Sequence, residues 1–132
     1  MTKTTQAQPS PITVKESDYS KLMSLIEKTD DASSEALDIE LARAEIVSDA
    51  RFPDTIVAMG STVTFADLDN GEETRVTLVF PHETDVAAMK ISVLSPVGSA
   101  LIGLAKGGVI DWKLPSGKVR RLQVVNVDNS AL

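Results

Sequence analysis

Two hydrophobic periods divide the chain. In the first 47 residues the apolar positions recur at helical spacing; from Ile56 onward they alternate. Tyr19, Leu22, Met23 and Ile26 fall at i, i+3, i+4 and i+7, which predicts a helix entered through an N-cap at Ser17-Asp18 and ending near Thr29. Asp30-Asp31-Ala32-Ser33 reads as a polar turn. Leu37, Leu41 and Ala44 mark the stripe of a second helix over 34–47. A short loop between matched stripes predicts an antiparallel helical hairpin, with arms of about 18–20 Å. A hairpin of this size is marginal alone, so it is expected to lean on the C-terminal part of the chain. Before it, Ile12–Val14 is short and β-branched, and residues 1–11 are polar, carry two prolines and show no period; they read as a disordered tail.

Pro53 bars helix continuation, which puts a junction at 48–53. Val63 and Phe65 then alternate with Thr62 and Thr64, and Val76, Leu78 and Phe80 with Arg75, Thr77 and Val79. Asp69-Asn70-Gly71 between them is a hairpin signal. The stretch 81–89 is a longer connection with one helical turn at 85–89, and 90–94 is a strand. Ser95 can cap a helix over 95–104 that has Pro96 at its first position and Val97, Leu101 and Leu104 on one face. After a Gly107-Gly108 break, strands over 109–114 and 118–127 flank Pro115-Ser116-Gly117. The pattern describes an α+β chain: a short helical hairpin over 12–50, then a mostly antiparallel sheet packed on one short helix over 51–132.

Charge narrows the possible partners. The net charge is −6; residues 1–50 hold 5 basic and 10 acidic side chains, residues 51–132 hold 8 and 9. A nucleic-acid surface needs clustered Lys and Arg, so independent DNA or RNA binding is disfavoured, and a basic protein surface suits the acidic half better. The chain has no cysteine, which removes disulfides and thiolate chemistry and fits a reducing cytoplasm. No run of eighteen apolar residues occurs and residues 1–10 are polar, so neither a membrane-spanning helix nor a secretory signal is expected.

Candidate chemistry is sparse. His82, the single histidine, has neither a second histidine nor a cysteine to share a metal, and no nucleophile to serve; it reads as a loop residue. Trp112 shares a strand face with Ile110 and Leu114 and is expected to pack. Lys118 and Arg120 fall on one strand face, opposite Val119 and Arg121, and read as a solvated edge. Arg43 beside Glu40 and Glu45 reads as an ionic helix face. Asp30-Asp31 can share a hard cation in principle, yet a solvated turn next to a helix N-terminus accounts for both carboxylates as well. No cofactor or metal site is expected.

The order strand, SPVGSAL helix, strand, PSG turn, strand resembles the C-terminal domain of the bacterial Gre transcript-cleavage factors. The chain as a whole, over Ile12–Val127, resembles the regulator of nucleoside diphosphate kinase family. The resemblance is carried by GSTVTFADLDNGEE (Gly60–Glu73), SPVGSALIG (Ser95–Gly103), LPSGKVRRLQV (Leu114–Val124) and the ELARA run at Glu40–Ala44. It implies an FKBP-like fold for 51–132 and docking on RNA polymerase beside its secondary channel through Ser95, Pro96, Val97 and Gly98. It also implies competition with Gre-like factors, an effect on nucleoside diphosphate kinase levels, and a monomeric, cytoplasmic, non-enzymatic protein. Asp30-Asp31 occupies the place where Gre factors hold an acidic pair that helps the polymerase bind Mg²⁺. Relatives commonly carry Gly-Asp where this chain has Gly107-Gly108. Two other readings stay open: an FKBP-like prolyl isomerase or chaperone, for which the chain's aromatics are few, and a transcript-cleavage assistant acting through the hairpin tip.

Overall fold

The structure, a computed structural model, describes residues 12–29, 32–113 and 116–129, with the side chains of 32, 33, 112 and 113 outside that set. The elements run β1 (Thr13–Lys15), α1 (Glu16–Thr29), α2 (Ala32–Ala42), β2 (Glu45–Val47), β3 (Thr62–Asp67), β4 (Glu73–Val79), β5 (Lys90–Ser92), α3 (Pro96–Leu101), β6 (Val109–Lys113) and β7 (Val119–Asp128). The result is a helical hairpin whose two ends are pinned in a small parallel pair, followed by a mixed sheet covered by one short helix.

Strand β1 pairs in parallel with β2, Val14 opposite Ile46. The second helix is therefore shorter than its sequence pattern predicts. Arg43 and Ala44 close the last turn on the carbonyls of Glu40 and Leu41, and the Glu45 N–H goes to the Ile12 carbonyl at 3.0 Å instead of staying in the helix. Glu45-Ile46-Val47 is β-branched enough to accept that pairing. The first helix starts earlier than expected. Asp49, in a 3₁₀ turn over Asp49–Arg51, accepts from the Ser17 N–H at 3.0 Å and the Ser17 hydroxyl at 2.6 Å. A remote carboxylate thus does the capping, which leaves Ser17 and Asp18 free to lie inside the first turn.

The five-stranded sheet has the order β5-β4-β3-β7-β6. All neighbours are antiparallel except β4 and β5, which pair in parallel, Val79 opposite Ser92. The β3–β7 register slips between Thr64/Asn126 and Phe65/Val124, so Val125 is an extra residue. The bulge resets the alternation: Leu122 and Val124 face the core before it, and Val127 packs on the core after it. The connection after β4 adds a 3₁₀ turn at Pro81–Glu83, and the turn expected at 85–89 is a tight one that forms no helix, with the Ala88 and Met89 N–H groups on the Asp85 and Val86 carbonyls at 3.1 and 3.0 Å.

One apolar cluster joins both parts. Leu22, Leu37 and Leu41 from the hairpin lie with Leu101, Ile102 and Leu104 and with Val63, Leu78, Leu122 and Val124 from the sheet. Fully burying each such side chain is worth about 1.5–3 kcal/mol, so the hairpin draws much of its stability from the sheet side. Segment 102–104 is the joint. Gly103 donates to the Val57 carbonyl at 3.0 Å and accepts from the Thr13 N–H at 3.0 Å, while the Val57 N–H goes to the Leu104 carbonyl at 2.9 Å. Gly103 has φ +82°, and a Cβ there would sit 2.8 Å from the Cβ of Ile12. Glycine is required both for the left-handed turn and for the approach of β1. That turn also ends α3 at Leu101, three residues before the predicted stop.

Candidate docking corner

Helix α3 is entered through a corner that the sequence specifies locally. Ser95 is the N-cap: its hydroxyl oxygen accepts from the Gly98 N–H at 3.0 Å and its O–H donates to the Ser92 carbonyl at 2.7 Å. Ser92 in turn accepts the Leu94 N–H on its own hydroxyl at 3.0 Å, and its carbonyl takes the Ser95 N–H at 3.0 Å. Pro96 occupies the first helical position, where no N–H is needed. A Cβ on Gly98 would lie 2.1 Å from the Ser92 carbonyl oxygen, so only glycine lets the helix sit this close to the strand end.

These four residues come together, but not with equal access. Pro96 is exposed, Ser95 and Val97 are half-buried with Val97 packed on the core, and Gly98 is buried. Pro96 with the outer edges of Ser95 and Val97 is what a partner can touch; Gly98 shapes the corner from beneath. The corner holds no titratable group and no metal-ligating set, and among the described residues no group of His, Cys, Asp and Glu is arranged to hold a metal ion.

The other residues singled out in the sequence are dispersed. Asp30 and Asp31 lie outside the described residues, between the end of α1 and the start of α2. His82 is exposed on the 3₁₀ turn and stacks on Phe80, ring centroids 6.2 Å apart. Arg43 pairs with Glu40 at 2.6 Å on the helix surface. The packing expected of the Trp112 side chain lies outside the described set; its backbone stands opposite Arg120. Arg120 corrects the solvated-edge reading. It shares the side of β7 that carries Leu122 and Val124, and its Nε reaches the Asp67 carboxylate at 2.5 Å.

Three carboxylates with perturbed protonation escaped sequence reading. Asp18, only 6 % exposed, accepts the Met59 N–H at 3.0 Å, and burial pushes its pKa up. Asp49 is held below the usual range chiefly by the Ser17 hydroxyl, and Asp67 chiefly by the Asp69 N–H, with Arg120 adding to it. All three serve the fold. Ser17, Met59 and Arg120 lie 32 to 53 residues from the carboxylates they meet, and no local signal announces those pairs; only the Asp67 contacts with the Asp69 and Asn70 N–H groups are local to the turn.

A sheet with this corner beneath a short hairpin defines a class. The family profile "Transcription elongation factor, GreA/GreB, C-term" matches residues 53–129, and "Rnk N-terminus" matches residues 10–47. The regulator of nucleoside diphosphate kinase from Escherichia coli K12 is 39% identical over 95 residues, 72% of this chain and 70% of that protein. Transcription elongation factor GreA from Thermotoga neapolitana is 42% identical over 98 residues, 73% of this chain and 62% of that one. Among solved structures, a prokaryotic transcription elongation factor GreA/GreB from Nitrosomonas europaea superposes with a TM-score of 0.75 at 42% identity, covering 89% of this chain and 98% of the other. Thermus aquaticus Gfh1 gives 0.53 at 26%, covering 90% and 99%. The class is that of Gre-related, transcription-associated regulators. Within it, the chain belongs to the regulator of nucleoside diphosphate kinase family.

Proposed function

We propose that this protein is a non-enzymatic regulator that binds RNA polymerase near the entrance of the secondary channel, through the exposed rim of the Ser95–Gly98 corner. In this reading it competes there with Gre-like factors, acts in the cytoplasm as a monomer, binds no nucleic acid by itself, and influences nucleoside diphosphate kinase levels through transcription. Residues 51–132, read as FKBP-like, supply the docking unit and residues 12–50 a short arm.

One observation supports this most strongly. A sheet and corner of GreA/GreB type are joined to helices of only 14 and 11 residues, about 21 and 17 Å long. An arm of that length suits occupation of a surface better than delivery of carboxylates to a distant, buried centre. Blocking by shared use of the surface needs no chemistry at the tip. The exposed Pro96, held in place by an internally satisfied cap, is the natural contact.

The test is retention on immobilised, purified polymerase. Wild type should be retained and displaced by GreA, and Pro96→Ala should be retained at least about tenfold less, since alanine at a first helical position leaves the helix intact. Unchanged retention of Pro96→Ala removes the corner as the contact. Turnover of a prolyl peptide would overturn the non-enzymatic reading, and stimulation of cleavage in a backtracked complex that is lost in Asp30→Ala/Asp31→Ala would overturn the passive tip.

A further inference from the structure

A surface feature not yet explained is a groove of about 490 Å³ between α1 and the 3₁₀ turn at Pro81–Glu83, lined by Ser20, Lys21, Leu25, Lys28, Phe80 and His82 among others. Its floor is apolar, from Leu25, Phe80 and Pro81, all half-buried. Its rim is cationic. Lys21 and Lys28 are exposed, and neither is in an ion pair among the described residues. The acid nearest in sequence on the turn, Glu83, is directed to the Phe80 N–H at 3.4 Å. Lys21 also acts through space on the Asp18 and Asp49 carboxylates, yet two lysines outside any described ion pair over an apolar trough are out of character for a half of the chain with twice as many acids as bases.

The spacing of the lysines selects the ligand. Seven residues apart on one helix, they stand about 10 Å apart along its axis, too far for one carboxylate. An extended peptide presents every second side chain to one face, so its residues i and i+4, about 13 Å apart, straddle that distance with residue i+2 between them on the same face. Position also matters. The groove wall at Phe80-Pro81 leaves the sheet at the end of β4, and the corner leaves it at the end of β5; Val79 and Ser92 are register partners there, and the Val93 N–H bonds the Val79 carbonyl at 2.9 Å. Groove and docking corner therefore open from the same end of the sheet.

We infer that the groove is a second contact for the partner proposed above, taking an extended acidic segment with two carboxylates four residues apart and an apolar side chain midway between them on the same face. The carboxylates lie toward Lys21 and Lys28, and the apolar group covers Leu25 and Phe80. The inference rests on the polymerase reading. Charge pairs at such a rim act mainly on encounter and salt dependence, and the apolar contact on residence time.

The experiment compares wild type, Lys21→Glu/Lys28→Glu, Lys21→Gln/Lys28→Gln and Pro96→Ala on immobilised polymerase at 50 to 300 mM salt. The reversed pair should lose at least about tenfold in retention at low salt, the neutral pair less, and both should show a flatter salt dependence than wild type. Melting temperatures confirm folding, and the glutamine pair guards against a reversed pair that fails to fold. Wild-type retention and salt slope in both pairs, with Pro96→Ala impaired, overturns the groove and leaves the docking corner standing. A wild type that is not retained removes the polymerase reading and this inference with it.

Discussion

The carboxylate of Asp18, in the first turn of α1, accepts the backbone N–H of Met59 at 3.0 Å across 41 residues of sequence. It fastens the hairpin to the segment that enters the sheet, and both groups are buried. Burial raises the pKa of Asp18, so the charge itself is unfavourable there while the hydrogen bond is needed. Asp18→Ala leaves the Met59 N–H unpaired and should cost about 1–3 kcal/mol in denaturant unfolding. Asp18→Asn keeps an acceptor and removes the charge, and should be at least as stable as wild type at pH 7. An asparagine variant as unstable as the alanine one would show that the charge, not the acceptor, is what Met59 requires.

Acid should act on the three perturbed carboxylates with opposite signs. Asp49 and Asp67 sit below their ordinary value of 3.8, so their contribution is present above that value and is lost as pH falls through the folded-state pKa. Asp18 sits above 3.8, so its penalty is full at neutral pH and is relieved as pH falls through its raised pKa. Melting curves between pH 7 and 2.5 should therefore show a gentler loss at the acid end for Asp49→Asn/Asp67→Asn than for wild type. Asp18→Asn should exceed wild type most at neutral pH, the difference closing with acid.

The corner separates shape from contact. Gly98→Ala drives a methyl onto the Ser92 carbonyl, where the ideal Cβ lies 2.1 Å away, and should cost about 1–3 kcal/mol or more. Ser95→Ala removes the cap and should cost about 1 kcal/mol. Pro96→Ala should leave the melting temperature nearly unchanged. Polymerase retention normalised to folded fraction distinguishes the three, with Pro96→Ala alone showing a loss that stability does not explain.

Gly103→Ala places a methyl 2.8 Å from the Cβ of Ile12 at a backbone φ of +82°. The left-handed conformation alone costs about 1–2 kcal/mol, and the clash falls on β1. Amide exchange at Thr13 and Glu45, whose N–H groups bond Gly103 and Ile12, should accelerate more than exchange in β3 and β7. Uniform acceleration throughout would mean that the hairpin and sheet unfold as one cooperative unit.

How much of this was legible depended on the range of the forces involved. The Val63/Phe65 and Val76/Leu78 alternation, the Ser95-Pro96 cap and the Leu22–Ile26 stripe are local signals, and each led to the right element. The errors fall where a distant group supplied a hydrogen bond. Asp49 capped α1 in place of Ser17, Ile12 drew Glu45 out of the second helix, and Asp67 recruited Arg120 from what reads as a solvated strand face. Alternation also misleads past Asn126, because the bulge at Val125 is set by the register with β3 and not by β7 itself. Of the corner, residue types and cap were readable, whereas the burial of Gly98 emerged only with Ser92 in place.

Because β1 and β2 pair over only three residues, the helical arm leaves after Lys15 and re-enters at Glu45 across the width of one short ladder. Matched turns can be added to or removed from its far end without altering the base, the sheet or the corner. Reach is thus decoupled from attachment, and a lineage can shorten the probe of such a molecule while keeping its foothold.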